Sequence, residues 1–279
     1  NVTINGDNPN TGGVNRDLTI TNTLTSTTGY GSVIRIALST LINSANDITI
    51  QNCSIIGHAT ARNVTGLTST TNSENTSYGI ICSGGASTVA ATTAPSALSS
   101  LTTAMAAGQT ANNFSVVNCQ VNACSKGIAV NSSVAANINQ LTISNNIIGD
   151  ASSASTTTVY TQAITAQGFT AATISGNLIQ NIQGFVGSST GVNTLIGIGL
   201  GNLATTSTGT NALVENNTIN RVFTRNTGTW PATGVYLNLS AASNTAVRNN
   251  FITGVQRDIT GSTGFSAALN VGGIKVIGG

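Results

Sequence analysis

Charged side chains are scarce in this sequence. Asp, Glu, Lys and Arg together make up 6% of the 279 residues, against about 25% in a typical soluble domain. There is no Lys/Arg cluster, and aromatic residues are only 4%. Both the electrostatic footprint and the base-stacking surface of a nucleic-acid-binding protein are therefore missing. Solubility must come from Asn, Thr, Ser and Gly.

Long apolar runs and prolines are also few. No apolar stretch approaches the roughly 20 residues of a membrane-spanning helix, so we expect no membrane span. Apolar residues reach 39% but lie in short Val, Ile and Leu runs, and there are only three prolines, which indicates many short strands. The sequence begins within this pattern at Asn1. We expect one domain over residues 1–279, taken from a longer polypeptide.

One motif, apolar–Thr–apolar–polar–Asn, recurs along the whole chain. Most copies start 27 to 40 residues after the previous one, and one step spans 66 residues. Seven copies are recognisable, at Leu18–Asn22, Ile48–Asn52, Phe114–Asn118, Leu141–Asn145, Ala172–Asn177, Ala212–Asn216 and Thr245–Asn249. Such a repeat is typical of a solenoid.

A second strand pattern lies between successive copies and begins with a small residue, as in Gly127–Val130 and Gly234–Leu237. Its seventh copy is either Ala267–Leu269 or Gly273–Val276. Alternation of period two gives each strand one buried and one exposed face, and one coil alone cannot bury its apolar residues. The sequence therefore predicts an all-β fold, a right-handed parallel β-helix of about seven or eight stacked coils.

The asparagine at the end of each first motif has a structural explanation. Asparagine tolerates a left-handed backbone and bonds its own backbone at a sharp bend. Stacked in register, such amides also bond from coil to coil as a ladder. We expect that ladder at Asn22, Asn52, Asn118, Asn145, Asn216 and Asn249.

The pattern resembles the pectate-lyase-like right-handed β-helix superfamily. It is also similar to the β-helical repeats of very large secreted surface proteins of Bacteroidota-like bacteria. The stretches Val2–Gly6, Arg16–Ile20, Asn52–Gly57, Ile143–Gly149 and Thr173–Ile179 carry this likeness. It implies the fold and an extracellular or cell-surface location, but one fold serves many activities.

Two long segments interrupt the spacing, and we expect inserted loops at residues 58–77 and 83–112. Within the second, Leu98, Leu101 and Met105 have helical spacing, Pro95 suits a first turn and Gly108 a stop. The sequence predicts a short helix there, either as a docking element or as decoration of a loop.

Acid–base chemistry has few candidates among the seven Asp and Glu residues. Asp17 and Asp47 precede consecutive copies of the first motif and are expected to stack, where they could hold a calcium ion or belong to a polar ladder. Glu215 and Arg248 hold equivalent positions and are expected to pair on the surface. His58 is the only histidine and has no nucleophile near it in the pattern.

Four cysteines occur without a CxxC pair, at Cys53, Cys82, Cys119 and Cys124. Cys53 and Cys119 occupy the same place in the repeat. If the insertion is only looped out, these two are within disulfide range, or they are buried reduced thiols.

We expect a non-enzymatic segment of a secreted or cell-surface bacterial protein, acting as a fibre or adhesin. No catalytic or cofactor-binding residue is assigned. Its expected partners are other coils of the same or a neighbouring chain, because both ends read as uncapped strands. The alternative is a polysaccharide lyase, glycoside hydrolase or carbohydrate-binding β-helix. For that alternative Trp230, Tyr160, Phe185 and Phe223 could stack on glycans, although a packing role in the core is the simpler explanation.

Overall fold

The chain is a parallel β-helix, seen in a computed structural model. The structure describes residues 1–23, 25, 31–38, 43–59, 77–84, 104–132, 137–187, 195–201, 209–226, 231–240, 243–257 and 271–277. Their strands form three sheets of seven, and every pairing between neighbours is parallel. Successive strands enter the three sheets in turn, so three strands make one coil. The predicted all-β solenoid is confirmed, with seven coils.

The three sheets are defined by their strands in stacking order. The first contains β1 (Val2–Asn5), β4 (Ile48–Gln51), β7 (Phe114–Val117), β10 (Leu141–Ser144), β13 (Ala172–Ser175), β16 (Ala212–Glu215) and β19 (Ala246–Arg248). The second contains β2 (Leu18–Thr21), β5 (Cys53–Ile56), β8 (Gln120–Asn122), β11 (Ile147–Gly149), β14 (Leu178–Gly187), β17 (Thr218–Asn226) and β20 (Phe251–Arg257). The third contains β3 (Gly31–Leu38), β6 (Ser77–Gly84), β9 (Lys126–Asn131), β12 (Gln162–Ala166), β15 (Leu195–Gly201), β18 (Ala232–Asn238) and β21 (Gly272–Val276).

The core consists of apolar rows that run along the stack, one residue per coil. Alternate residues of each strand point inward, so in-register pairing places like residues on top of one another. In the middle coils the inward residues of all three sheets are fully buried, as at Ile143, Ile148 and Ile164. Almost all buried apolar residues belong to one cluster, as expected of a single stacked core.

The first copy of the repeat differs from the prediction. Val2–Asn5 pairs with Ile48–Gln51 in the first sheet, whereas Leu18–Thr21 pairs with Cys53–Ile56 in the second. The motif Leu18–Asn22 was therefore assigned to the wrong sheet. Both strands share the same alternation, and alternation alone does not distinguish two strands of one coil.

Two points that the sequence left open are resolved by the register. Ile48 pairs with Phe114, so the coils on either side of the 66-residue step are adjacent. The seventh copy of the second motif is β21, since Val235 pairs with Ile274. Its other candidate, 267–269, lies outside the described residues.

The predicted inserted loops at 58–77 and 83–112 lie mostly outside the described residues. Ser77, Ser83 and Gly84 belong to β6. Residues 95–103 of the predicted helix are not described. Met105, at the end of that segment, forms an isolated parallel bridge with Ser132 instead of a helical turn.

The third sheet is buried on both faces at some coils, unlike the predicted alternation. All eight residues of β6 are buried. On its outer face, Tyr78, Ile81 and Ala129 form a second, smaller apolar cluster. Alternation therefore marks which residues face inward, but it does not establish that the others meet water.

Candidate functional site: polar rows and end faces

A buried asparagine ladder runs along the turn between the first and second sheets. Its members are Asn146, Asn177, Asn217 and Asn250, and each of the first three donates from Nδ2 to the Oδ1 of the next at 2.9–3.0 Å. The backbone N–H of each of the first three also donates to that same Oδ1, at 3.0 Å. Each Nδ2 also donates to a carbonyl one coil back, such as Ile143 for Asn177. The ladder thus satisfies backbone groups of four coils, the third to the sixth.

The ladder expected from the sequence is confirmed between Asn52 and Asn118, whereas the buried ladder of the later coils lies one residue after the expected positions. Of the expected residues, Asn52, Asn118, Asn145, Asn216 and Asn249 have φ between 51° and 57°, so they make the left-handed bend. Among them, Asn118 Nδ2 donates to Asn52 Oδ1 of the neighbouring coil at 2.8 Å. Asn22 follows β2 in the second sheet and donates to the carbonyl of Ser32, so it does not belong to this row.

The feature of the sequence that marks the buried ladder is a pair of consecutive asparagines. In Asn145-Asn146 and Asn216-Asn217 the first residue makes the bend and is exposed, and the second is buried. Gly176, with φ 65°, makes the same bend before Asn177. The bend is shared by residue types that tolerate positive φ, so the residue after it identifies the ladder.

Cysteines replace asparagine in this row in the second and third coils. Cys53 and Cys119 are neighbours in register, since Ser54 pairs with Gln120, and both are fully buried free thiols. The Cys119 Sγ donates to the carbonyl of Ile50 at 3.6 Å, as the ladder asparagines do. Burial raises the pKa of Cys119 to about 11 and also raises that of Cys53. The predicted adjacency is confirmed, and the thiols are not bonded to each other in this structure.

The other two cysteines are buried apart from that pair. Cys82 lies in β6 opposite Val130 of β9, and Cys124 lies before β9. Burial raises the pKa of the Cys82 thiol to about 12. A thiol that stays protonated at neutral pH is a poor nucleophile, so these cysteines act as small apolar core residues.

The predicted stacking of Asp17 on Asp47 is wrong. Asp17 precedes β2 and Asp47 precedes β4, which lie in different sheets. Asp17 Oδ2 accepts from the Asn8 N–H and the Thr11 hydroxyl, and Asp47 Oδ1 accepts from Asn113 Nδ2 at 2.6 Å. Each carboxylate therefore holds a turn or a polar row. In the part of the chain that the structure describes, no three His, Cys, Asp or Glu side chains converge as metal ligands do.

The remaining described carboxylates are also occupied. Asp7 accepts from the Asn15 N–H, and Asp150 accepts from the Ser152 N–H, Ser155 and Thr157. Those bonds, led by the Ser152 N–H, lower the pKa of Asp150. They favour the ionised form of Asp150, whereas a general acid needs a raised pKa.

The predicted surface pair of Glu215 and Arg248 is confirmed. Arg248 Nε lies 2.8 Å from Glu215 Oε2, with the arginine side chain 61% exposed, and the two residues pair in register between β16 and β19. A solvent-exposed pair of this kind contributes at most about 1 kcal/mol.

The aromatic residues considered for glycan stacking do not form an exposed row among the described residues. Tyr160 is buried. Phe223 is half-buried beneath Arg221, whose guanidinium carbon lies 4.5 Å from the ring centre. The side chains of Phe185 and Trp230 lie outside the described residues.

One lysine lies on the well-covered outer face of the third sheet. The Lys126 Nζ is 5.6 Å from the ring centre of Tyr78, its in-register neighbour in β6. Burial lowers the pKa of Lys126 to about 8. The ring face offsets part of the cost of burying the ammonium.

The two ends of the stack expose apolar residues whose in-register neighbours in the adjacent coil are buried or half-buried. We call β1, β2 and β3 the first end face. Val2 is 55% exposed and Leu18 40%, yet their in-register neighbours Ile48 and Cys53 are buried. What differs is the absence of a neighbouring described strand on the outer side.

We call β19, β20 and β21 the second end face. Ile274 is 53% exposed and Val276 63%, whereas Val235, which pairs with Ile274, is fully buried. Val247 and Ile252 are half-buried, whereas their partners in the sixth coil are fully buried. Both faces present strand edges with apolar side chains, the combination that favours strand addition.

Comparison of the chain with known protein families, with curated proteins and with solved structures gives no match. No helix among the described residues is long and apolar enough to cross a membrane.

Proposed function

We propose that this β-helix is a non-enzymatic structural segment of a secreted or cell-surface protein, fibre-forming or adhesive, whose end faces bind further β-helical coils. The observation that carries the proposal is the exposure of inward apolar residues on both end faces, led by Val2, Ile274 and Val276. One more coil on either side would bury these residues as the middle coils bury their counterparts.

The use of the described carboxylates supports a structural function. Those of Asp7, Asp17, Asp47 and Asp150 are hydrogen-bonded within turns and polar rows, and Glu215 pairs with Arg248. A glycosidase requires two carboxyl groups that face one scissile bond. The cell-surface location rests on the likeness of the repeats to those of large secreted surface proteins and on a surface that is polar with little charge.

Association of the purified chain tests this proposal. At high salt, which screens surface charge, sedimentation velocity should show weak, concentration-dependent self-association, and electron micrographs should show rods one β-helix wide. The variant Val276→Lys places a charge on the second end face and should remain monomeric. Monomers at every salt and protein concentration, for the wild type and also for variants that remove the like charges from the end faces, would contradict the proposal.

Turnover is tested separately. Incubation with acidic and neutral polysaccharides should release neither new reducing ends nor unsaturated products. Release of either would support a polysaccharide-degrading β-helix instead.

A further inference from the structure

If two copies stacked head to tail, the inward rows of the second end face would continue into those of the first end face of the next copy. Extension of the register would bring Val247 next to Ile4 and Ile252 next to Ile20 of another copy. In the third sheet, Ile274 would meet Ile34 and Val276 would meet Ile36. All of these residues are apolar, so head-to-tail stacking of two copies is compatible with the core rows.

The asparagine ladder does not continue in the same way. Each of its first three members gives its backbone N–H and its Nδ2 to the Oδ1 of the next coil. Asn250 is the last member of the ladder. In the first coil of another copy, the same row is occupied by Leu18, which pairs in register with Cys53. Leucine has no acceptor for the Asn250 N–H, and burial of an amide without an acceptor is unfavourable.

A second mismatch lies on the outer face of the third sheet. One outward row of this sheet runs from Arg35, which pairs with Ile81, to Lys275, which pairs with Tyr236. Head-to-tail stacking would place Arg35 of another copy next to Lys275, about one strand spacing of 4.8 Å away. Like charges directly opposite on neighbouring strands repel each other.

We infer that the second end face binds a β-helical coil whose sequence differs from that of this chain's own first coil. This coil carries an asparagine in the ladder row and a neutral or acidic residue opposite Lys275. The inference rests on the proposed function, because it names the partner of that same end face. The apolar rows define the partner as a β-helical coil, and the two polar positions select against the chain's own first coil.

Three forms of the full chain test this inference by sedimentation velocity at low salt. The wild type should be monomeric. Lys275→Glu should associate at least tenfold more tightly, because Glu would face Arg35 of the next copy. Addition of Leu18→Asn to Lys275→Glu should tighten association about tenfold again, because the new Oδ1 would accept from Asn250. Both substituted side chains are at least partly exposed in the monomer, and circular dichroism checks that each variant folds.

The control is Val276→Lys in the Lys275→Glu background, which should restore the monomer if association uses the second end face. A wild type that associates as tightly as Lys275→Glu would overturn the selectivity and leave the proposed function standing. If the folded variants all stay monomeric at low and high salt, the end faces do not stack, and the proposed function fails together with the inference.

Discussion

The Oδ1 atom of Asn217 accepts two hydrogen bonds from Asn177 in the preceding coil, one from its backbone N–H at 3.0 Å and one from its Nδ2 at 2.9 Å. The Asn217 Nδ2 in turn donates to the Ile174 carbonyl and to Asn250 Oδ1, both at 2.9 Å. A single buried side chain therefore satisfies polar groups in both neighbouring coils. Removal of a shared partner leaves several buried groups unpaired, and each of these carries a desolvation cost.

Asn217→Ala should lower the free energy of unfolding by about 3 kcal/mol, since donors on Asn177 and an acceptor on Ile174 lose their partner. The matched control is Asn216→Gly, which removes the neighbouring exposed side chain and keeps a residue suited to φ 55°. It should change stability by less than about 1 kcal/mol. Urea unfolding of both variants provides the comparison, and equal losses would show that the ladder bonds contribute little.

The Cys82 thiol makes stability depend on alkaline pH. Burial raises its pKa from 9.0 to about 12, so between these values the folded chain retains a proton that the unfolded chain releases. Stability from this group is complete below pH 9 and is lost as pH rises toward 12. Cys82→Val removes the thiol, so the advantage of wild type over the variant should shrink by about 3 kcal/mol between pH 8 and pH 11.

Cys82→Ala separates the thiol from its packing. It should lower stability at neutral pH more than Cys82→Val because it leaves a cavity, yet it should remove the same part of the pH dependence. If wild type and both variants lose stability in parallel above pH 9, ionisation of Cys82 is not the cause.

The pH dependence of stability that Lys126 contributes has the opposite sign. Its pKa falls from 10.5 to about 8 on folding, so the folded chain gives up a proton that the unfolded chain still binds. Its contribution is complete above pH 10.5 and is lost as pH falls through 8. Between pH 7 and pH 9, wild type should therefore gain about 1 kcal/mol relative to Lys126→Met. Urea unfolding at the two pH values provides the measurement, with Lys275→Met, on the exposed end of the same sheet, as the reference for removal of a lysine charge.

The sequence was sufficient for the architecture and insufficient for its polar interior. In-register apolar rows require only a period of two and a recurring bend, and both are visible in copies such as Leu141–Asn145. The assignment of Leu18–Asn22 failed because two strands of one coil carry the same alternation. The ladder was placed on Asn145 instead of Asn146 because the burial of Asn146 depends on the carbonyl of Val116 one coil away. Likewise, the end faces become recognisable only when the structure shows which strands have a neighbour on one side alone.

Cys53 and Cys119 provide a test of the stacking register through covalent chemistry. As in-register neighbours on parallel strands they lie within the Cα separation that a disulfide spans. Both are fully buried in the fold, so oxidants should not reach them there. Refolding with glutathione disulfide should join them, with loss of one proton from each thiol and reduction of one glutathione disulfide to two glutathione molecules.

This crosslink would close a loop of 66 residues and should raise the free energy of unfolding by about 4 kcal/mol. Peptide mapping by mass spectrometry should find Cys53 linked to Cys119, and Cys53→Ala should lose both the link and the gain. A dominant link between Cys82 and Cys124 would instead mean that the coils assemble in another register before the thiols become buried. The result therefore tests the adjacency across the 66-residue step, on which the continuity of all three sheets depends.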